Sequence, residues 1–398
     1  MKRLALGLGL ASLSSLALVV ACSGTDTAGV GGGDDDIGSD ASGLDHTIGE
    51  PTDGSPGDDG GGRDGGTGLG NTGSCDNGLA IYGSAAQFAR AIGICGDATK
   101  DGYGLVSARF TTAYVDGDGG VGTALDPALY QFNDAGTSRQ AGVLPRFGNV
   151  LRPREGSALG VLSSGYAGQY DELDDGGAND SGPDFAGNNG FQTMRPGITP
   201  PGFPKTTPGC EQSPHTFDMV DVKVTLKAPP GAHGFAFDFA FYGSDWPRFV
   251  CSRFNDAFVA YVRSSATSGA NLVADEKGRP ISVNASFFDR CVPDSGVGCG
   301  SVGSGQLADA GLSWPCNAGT VELGGTGYGK NATGCGGTTT SGGATGWLTA
   351  TAPVTPGETF TIDFMVWDAE DAALDSTALL DHFHWLAEAT VVSTTRAK

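Results

Sequence analysis

Basic residues are scarce in this chain: 23 lysines and arginines stand against 45 aspartates and glutamates, a net charge of −22 at pH 7. No basic stripe breaks that excess, so long-range repulsion opposes a phosphate backbone and nucleic-acid binding is not expected. Histidine occurs only five times and no Cys-x-x-Cys pair is present, which removes the common spacings of a zinc site. The Gly-x-Ser-x-Gly elbow of α/β hydrolases is also missing, so the sequence offers no ready nucleophile. Helical periodicity is confined to Ala85 to Ile94, where Phe88, Ala91 and Ile92 share one face.

What is present begins at the N-terminus. Met1-Lys2-Arg3 precedes an apolar run from Leu4 to Val20 that ends in Val19-Val20-Ala21-Cys22, the charge, apolar core and small-residue cleavage site of a secretory signal. The run is short for a membrane span and is broken by Gly and Ser. It resembles the bacterial lipobox, which implies that residues 1–21 are removed and that Cys22 carries the lipid. Buried acyl chains, at about 0.8 kcal/mol per CH₂, would then anchor the chain to a membrane. Ser23 follows Cys22, and by resemblance to enterobacterial sorting this favours the outer membrane or cell surface.

Residues 22–74 read as the lipidated cysteine and a tether. Runs such as Gly31-Gly32-Gly33-Asp34-Asp35-Asp36 offer almost no apolar surface to offset ordering entropy, so disorder is expected. Eleven acids against Arg63 give residues 23–74 a net charge of −10, and self-repulsion extends the chain to a reach of about 40 Å or more. Past the tether lie Cys75, Cys95, Cys210, Cys251, Cys291, Cys299, Cys316 and Cys335. An even number in an exported chain reads as disulfides. Many pairings are open; those favoured are Cys75 with Cys95, Cys210 with Cys251, Cys291 with Cys316, and Cys299 with Cys335.

Residues 75–395 read as one all-β domain. Val220, Val222, Val224 and Leu226 alternate with Asp221, Lys223 and Thr225, and Phe235, Phe237, Phe239 and Phe241 alternate with Ala236, Asp238 and Ala240. Each such period-2 run predicts a strand with one buried face. Phe258 to Val262, Ile281 to Phe287, Phe360 to Val366 and Leu379 to Trp385 read the same way. Many strands, long Gly-rich loops and one short helix near the domain start predict a two-sheet sandwich of jelly-roll type. The phenylalanine stripe is expected in the core, since strict alternation is what a sandwich interior needs. Trp246 and Trp347, in loops, remain candidates for stacking on a ligand.

An ordered set of motifs lies between residues 235 and 385: Phe237-Asp238-Phe239-Ala240-Phe241, Ser244-Asp245-Trp246-Pro247, Phe254-Asn255-Asp256, Ile281-Ser282-Val283-Asn284, Thr351-Ala352-Pro353-Val354-Thr355-Pro356-Gly357, and Asp368-Ala369-Glu370-Asp371 through Asp375-Ser376. In this order they resemble the choice-of-anchor L domain, a β-sandwich module of bacterial surface proteins. Two departures stand out: Ser244-Asp245 where the family has an acidic pair, and a cysteine-rich insertion from Cys291 to Cys335. The resemblance implies a cell-surface module without established enzymatic chemistry.

The functional expectation is therefore a noncatalytic surface lipoprotein presenting its sandwich for adhesion or extracellular ligand binding, with a polysaccharide or surface protein as partner. The alternative is a secreted hydrolase acting on polysaccharide or peptide from a site in the Gly-rich loops. His382 and His384 share one strand face, but Phe383 and Trp385 then point inward, so a solvent-facing histidine pair is expected rather than a metal site. Asp368, Asp371 and Asp375 fall within eight residues. With Asn255 and Asp256 at another strand start, they form a candidate calcium site of oxygen ligands. The competing reading is that these acids are solvated separately or cap loop amides.

Overall fold

The computed structural model describes residues 75–114, 140–167, 196–205, 207–211, 213–292, 297, 316–334 and 337–398. Cys22, the tether and the expected Cys299–Cys335 pairing lie outside them. In chain order the described elements begin with α1 (Ala85–Ala91), α2 (Ala98–Asp101), β1 (Gly104–Thr111), β2 (Ala141–Leu144), β3 (Leu159–Ser163), β4 (Thr216–Lys227), β5 (Gly234–Gly243) and β6 (Ala257–Arg263). They continue with β7 (Ala270–Asn271), β8 (Ile281–Ser282), β9 (Lys330–Gly334), β10 (Gly337–Ser341), β11 (Gly343–Ala344), β12 (Leu348–Pro353), β13 (Thr359–Ala369), β14 (Ser376–Leu386) and β15 (Ser393–Arg396).

Two large antiparallel sheets result, one ordered β1-β4-β13-β6-β7 with β8 on β6, the other β15-β12-β5-β14-β3-β2 with β11 on β5, and β9 and β10 pair as a separate two-stranded sheet. The successive long strands β4, β5, β6, β12, β13 and β14 alternate between the sheets, as the jelly-roll expectation requires. The inward rows meet ring to ring. Phe235 stacks on Phe360 at 5.4 Å, Phe237 meets Phe364 edge-on at 5.2 Å, and Phe239 lies 5.3 Å from Phe258. All four phenylalanines of β5 are buried, each stabilising the fold by roughly 1.5–3 kcal/mol. The stripe is core.

The expectation of one buried face per strand needs correction, because β5 is buried along its whole length. Leu323, Tyr328 and Phe147 cover Tyr242 and Leu379 on the outside of one sheet. Tyr114 and Phe203 cover Met365 and Trp367 on the outside of the other. Charged residues that alternation assigned to solvent, Asp221, Lys223 and Asp238, are therefore buried.

The helix forms where its periodicity predicted it. Ser84 and Gln87 cap α1 reciprocally, satisfying two amides that the first turn leaves open, while Phe88 and Ile92 enter the core. Gly160 on β3 permits the approach, since a Cβ there would lie 2.7 Å from Phe88. The strand expected over Ile281 to Phe287 stops at Ser282. Ala285 N–H donates to Ser282 O and Phe288 N–H to Ala285 O, so the apolar alternation fills the core from successive turns. Disulfides join Cys75 to Cys95, Cys210 to Cys251 and Cys291 to Cys316, with Cα separations of 5.5, 4.7 and 5.0 Å. Each constrains the unfolded chain by about 2–4 kcal/mol.

Candidate functional site

At one end of the sandwich four strand ends meet. The end of β5 pairs with the start of β14 at Gly243 and Ser376, and the end of β13 with the start of β6 at Trp367 and Ala257. Side-chain parity carries two acids into the space between the sheets. Asp256 continues the inward row of Phe258 and Ala260, and Asp368 that of Val366 and Phe364. Asp245 follows β5 in its turn and Asp375 immediately precedes β14. Asp245, Asp256, Asp368 and Asp375 are 3%, 1%, 1% and 4% exposed.

Their environments differ. Asp256 ties the sheets together: Oδ1 accepts from the Ala369 amide of β13 at 2.8 Å and Oδ2 from the Ser376 hydroxyl of β14 at 2.8 Å. Burial pushes its carboxyl up to about 7 against the pull of those donors. The Asp375 carbonyl accepts from the Ser244 hydroxyl at 2.8 Å and from the Tyr328 hydroxyl at 3.3 Å, leaving its carboxyl beside Gly165, where any Cβ would collide with it. Neither oxygen of Asp368 has a partner at hydrogen-bond distance; the nearby Ser164 hydroxyl, which accepts from the Ser376 amide and reaches the Ser376 carbonyl at 3.5 Å, pulls the Asp368 pKa down only in part. Burial raises the pKa of Asp368 well above the ordinary range, and the charges of Asp256 and Asp375 raise it further. Asp245 is raised by burial and then by the charge of Asp256.

The structure thus buries three of the five expected calcium ligands, Asp256, Asp368 and Asp375, at this end, leaves Asp371 half-buried at its edge, where its charge still acts on Asp245 and Asp256, and turns Asn255 away. Asp371 is half-buried and its Oδ1 accepts from the Ala373 amide at 3.1 Å, which is the loop-capping alternative. Asn255 faces the other way and lines a hollow with Phe203, Lys205, Glu211, Arg253 and Trp367. Asp245 was missed as a candidate although it stands in the Ser244-Asp245-Trp246-Pro247 motif. As the side chains stand, no three His, Cys, Asp or Glu among the described residues form a group that could hold a metal ion.

Trp246 does not offer a stacking face: it is 1% exposed and belongs to the core between the sheets. Trp347 packs, partly buried, on the outer cluster with Tyr242 and Tyr328. A bulge between Asp381 and His384 re-aims the two histidines. Their rings lie 4.5 Å apart, and His382 Nδ1 is 3.1 Å from Asp238 Oδ2, which also takes Arg154 Nε at 3.0 Å. Asp238 thereby raises the pKa of His382, whereas burial lowers that of His384. Phe383 and Trp385 do point inward.

A disulfide-linked β-sandwich with an acidic end is the class that the coordinates define. Residues 224–383 match the family model of the choice-of-anchor L domain, and that stretch of the chain is similar to it. It marks a bacterial surface-associated module. No curated protein and no solved structure matches the chain. Among the described residues no helix is long and apolar enough to cross a membrane.

Proposed function

We propose that the chain is a noncatalytic surface lipoprotein, anchored through Cys22 and presenting its sandwich for adhesion or for binding an extracellular polysaccharide or surface protein. The observation that carries this reading is the choice-of-anchor L match, in a chain whose N-terminus has the lipobox pattern. Three disulfides fit an oxidising compartment. The acidic tether would hold the domain clear of headgroups by about 40 Å. The hollow with Lys205, Glu211, Arg253 and Asn255 on its wall offers donors and acceptors suited to a polar ligand, and Asn255 Oδ1 is buried there without a hydrogen bond.

Two experiments test the reading. Cys22→Ser should move the protein from the membrane fraction to the soluble fraction, because it removes the acyl acceptor; unchanged partitioning would contradict lipid anchoring. A glycan and surface-protein panel should give saturable binding without turnover, weakened by Arg253→Ala. Turnover of any panel member would contradict the noncatalytic reading.

A further inference from the structure

Carboxylates at the end of a sandwich are ordinarily solvated, and these are not. Asp256 and Asp368 occupy inward positions where the preceding rows are Phe, Ala and Val, and with Asp245 and Asp375 they are all at most 4% exposed. A buried carboxylate costs several kcal/mol unless it is paired, protonated or bound to a cation. Among the described residues no ion pair includes Asp245, Asp256 or Asp368; the nearby Arg253 is spent on Glu370, at 3.4 Å. Asp368 supplies the second, independent sign. Both of its oxygens are buried without a partner at hydrogen-bond distance, the Ser164 hydroxyl nearby compensates only in part, and the charges that bear on it are carboxylates, Asp256 and Asp375 first among them.

We infer that the end of the sandwich is a site for one hard divalent cation, of the size and oxygen preference of calcium, held by Asp368, Asp245, Asp256 and Asp375. The donor set contains no sulfur and no imidazole, which suits calcium better than zinc or copper. Asp368 brings two uncommitted oxygens. Asp256 accepts from Ala369 and Ser376 and also shares a hydrogen bond with the Asp245 carboxyl, a shared proton that the ion would replace. As the side chains stand they form no metal cage; once ionised the carboxyls repel one another, and a cation between them reverses that force and draws them together. The ion would clamp both sheets at once, since Asp256 and Asp368 belong to one and Asp245 and Asp375 flank strands of the other. The ligand set differs from one read along the Asp368 to Asp375 loop: it includes Asp245 and leaves out Asp371 and Asn255. The site is independent of the proposed adhesive or ligand-binding role.

The test uses the full chain, equilibrated with calcium chloride or with EDTA. Bound calcium after dialysis should be about one ion per chain, and at saturating calcium the melting temperature should exceed that in EDTA by on the order of 5 °C. Asp368→Asn and, separately, Asp245→Asn should lose the ion and the difference, while Asp371→Ala keeps both. The wild-type measurement stands even if one variant fails to fold. No bound calcium together with coincident wild-type melting curves would overturn the inference and leave protonated, mutually hydrogen-bonded acids in its place. Equal calcium uptake by folded Asp368→Asn would overturn it as well.

Discussion

Two groups of buried acids in this sandwich are handled in opposite ways. On the outer face of one sheet, Lys223 Nζ lies 3.3 Å from Asp363 Oδ1, with side-chain exposures of 3% and 0%. The two residues sit directly across the β4–β13 ladder, and the Tyr114 ring is 5.7 Å from the ammonium. Asp221, two residues before Lys223 on the same face, is driven well above the ordinary range by burial and then by the charge of Asp363, with which it also shares a hydrogen bond. Charge is balanced within the chain. At the sandwich end no described lysine or arginine pairs with Asp245, Asp256 or Asp368. The difference follows from position: mid-strand, cross-strand register delivers a partner to a fixed place, whereas strand ends meet only at turns, where the partner must come from elsewhere.

The largest expected effect breaks the balanced group. Lys223→Met should cost about 3–5 kcal/mol in a urea unfolding curve, because it strands Asp363 without its counter-charge. Adding Asp363→Leu should recover most of that loss; a double variant as unstable as the single one would mean that packing, not charge, holds the face together.

A smaller effect is expected from Asp381, a carboxyl on the other sheet that accepts the amides of Arg154 and His382 at 2.5 and 2.6 Å. Burial nonetheless pushes it from 3.8 up to about 7. The folded state therefore binds a proton that the unfolded state has already shed between about pH 4 and pH 7. Its contribution to stability is complete below pH 4 and falls as pH rises through 7. Asp381→Asn should flatten that part of the stability profile, and an unchanged profile would assign it to other groups. The smallest effect should come from Asp371→Ala, within about 0.5 kcal/mol at this half-buried loop position; a loss of several kcal/mol would show that Asp371 belongs with the buried acids.

Much of the fold was legible because its signals are local. The Phe235 to Phe241 stripe and the α1 face follow from spacing, and Cys75–Cys95 and Cys210–Cys251 join neighbouring cysteines, whereas Cys291–Cys316 passes over Cys299 and was favoured among pairings that the sequence leaves open. The sandwich end was legible in part, since Asp368 and Asp375 are close in sequence and Asp256 begins a recognisable strand. Asp245 was missed because its membership depends on where β5 ends relative to β14, a long-range pairing. Trp246 was misread for a similar reason: a turn beside a proline gives no sign that it folds back over the core. The burial of Lys223 and Asp221 was hidden too, since period-2 alternation distinguishes two faces and does not say whether remote segments cover the second.

The most direct test compares the calcium-dependent difference in melting temperature across Lys223→Met and Asp368→Asn. The account predicts that Lys223→Met melts lower yet keeps the full difference between calcium and EDTA, and that Asp368→Asn loses it. Loss of the difference in Lys223→Met, or its survival in Asp368→Asn, would contradict the claim that one group of buried acids is balanced by the chain and the other by an ion.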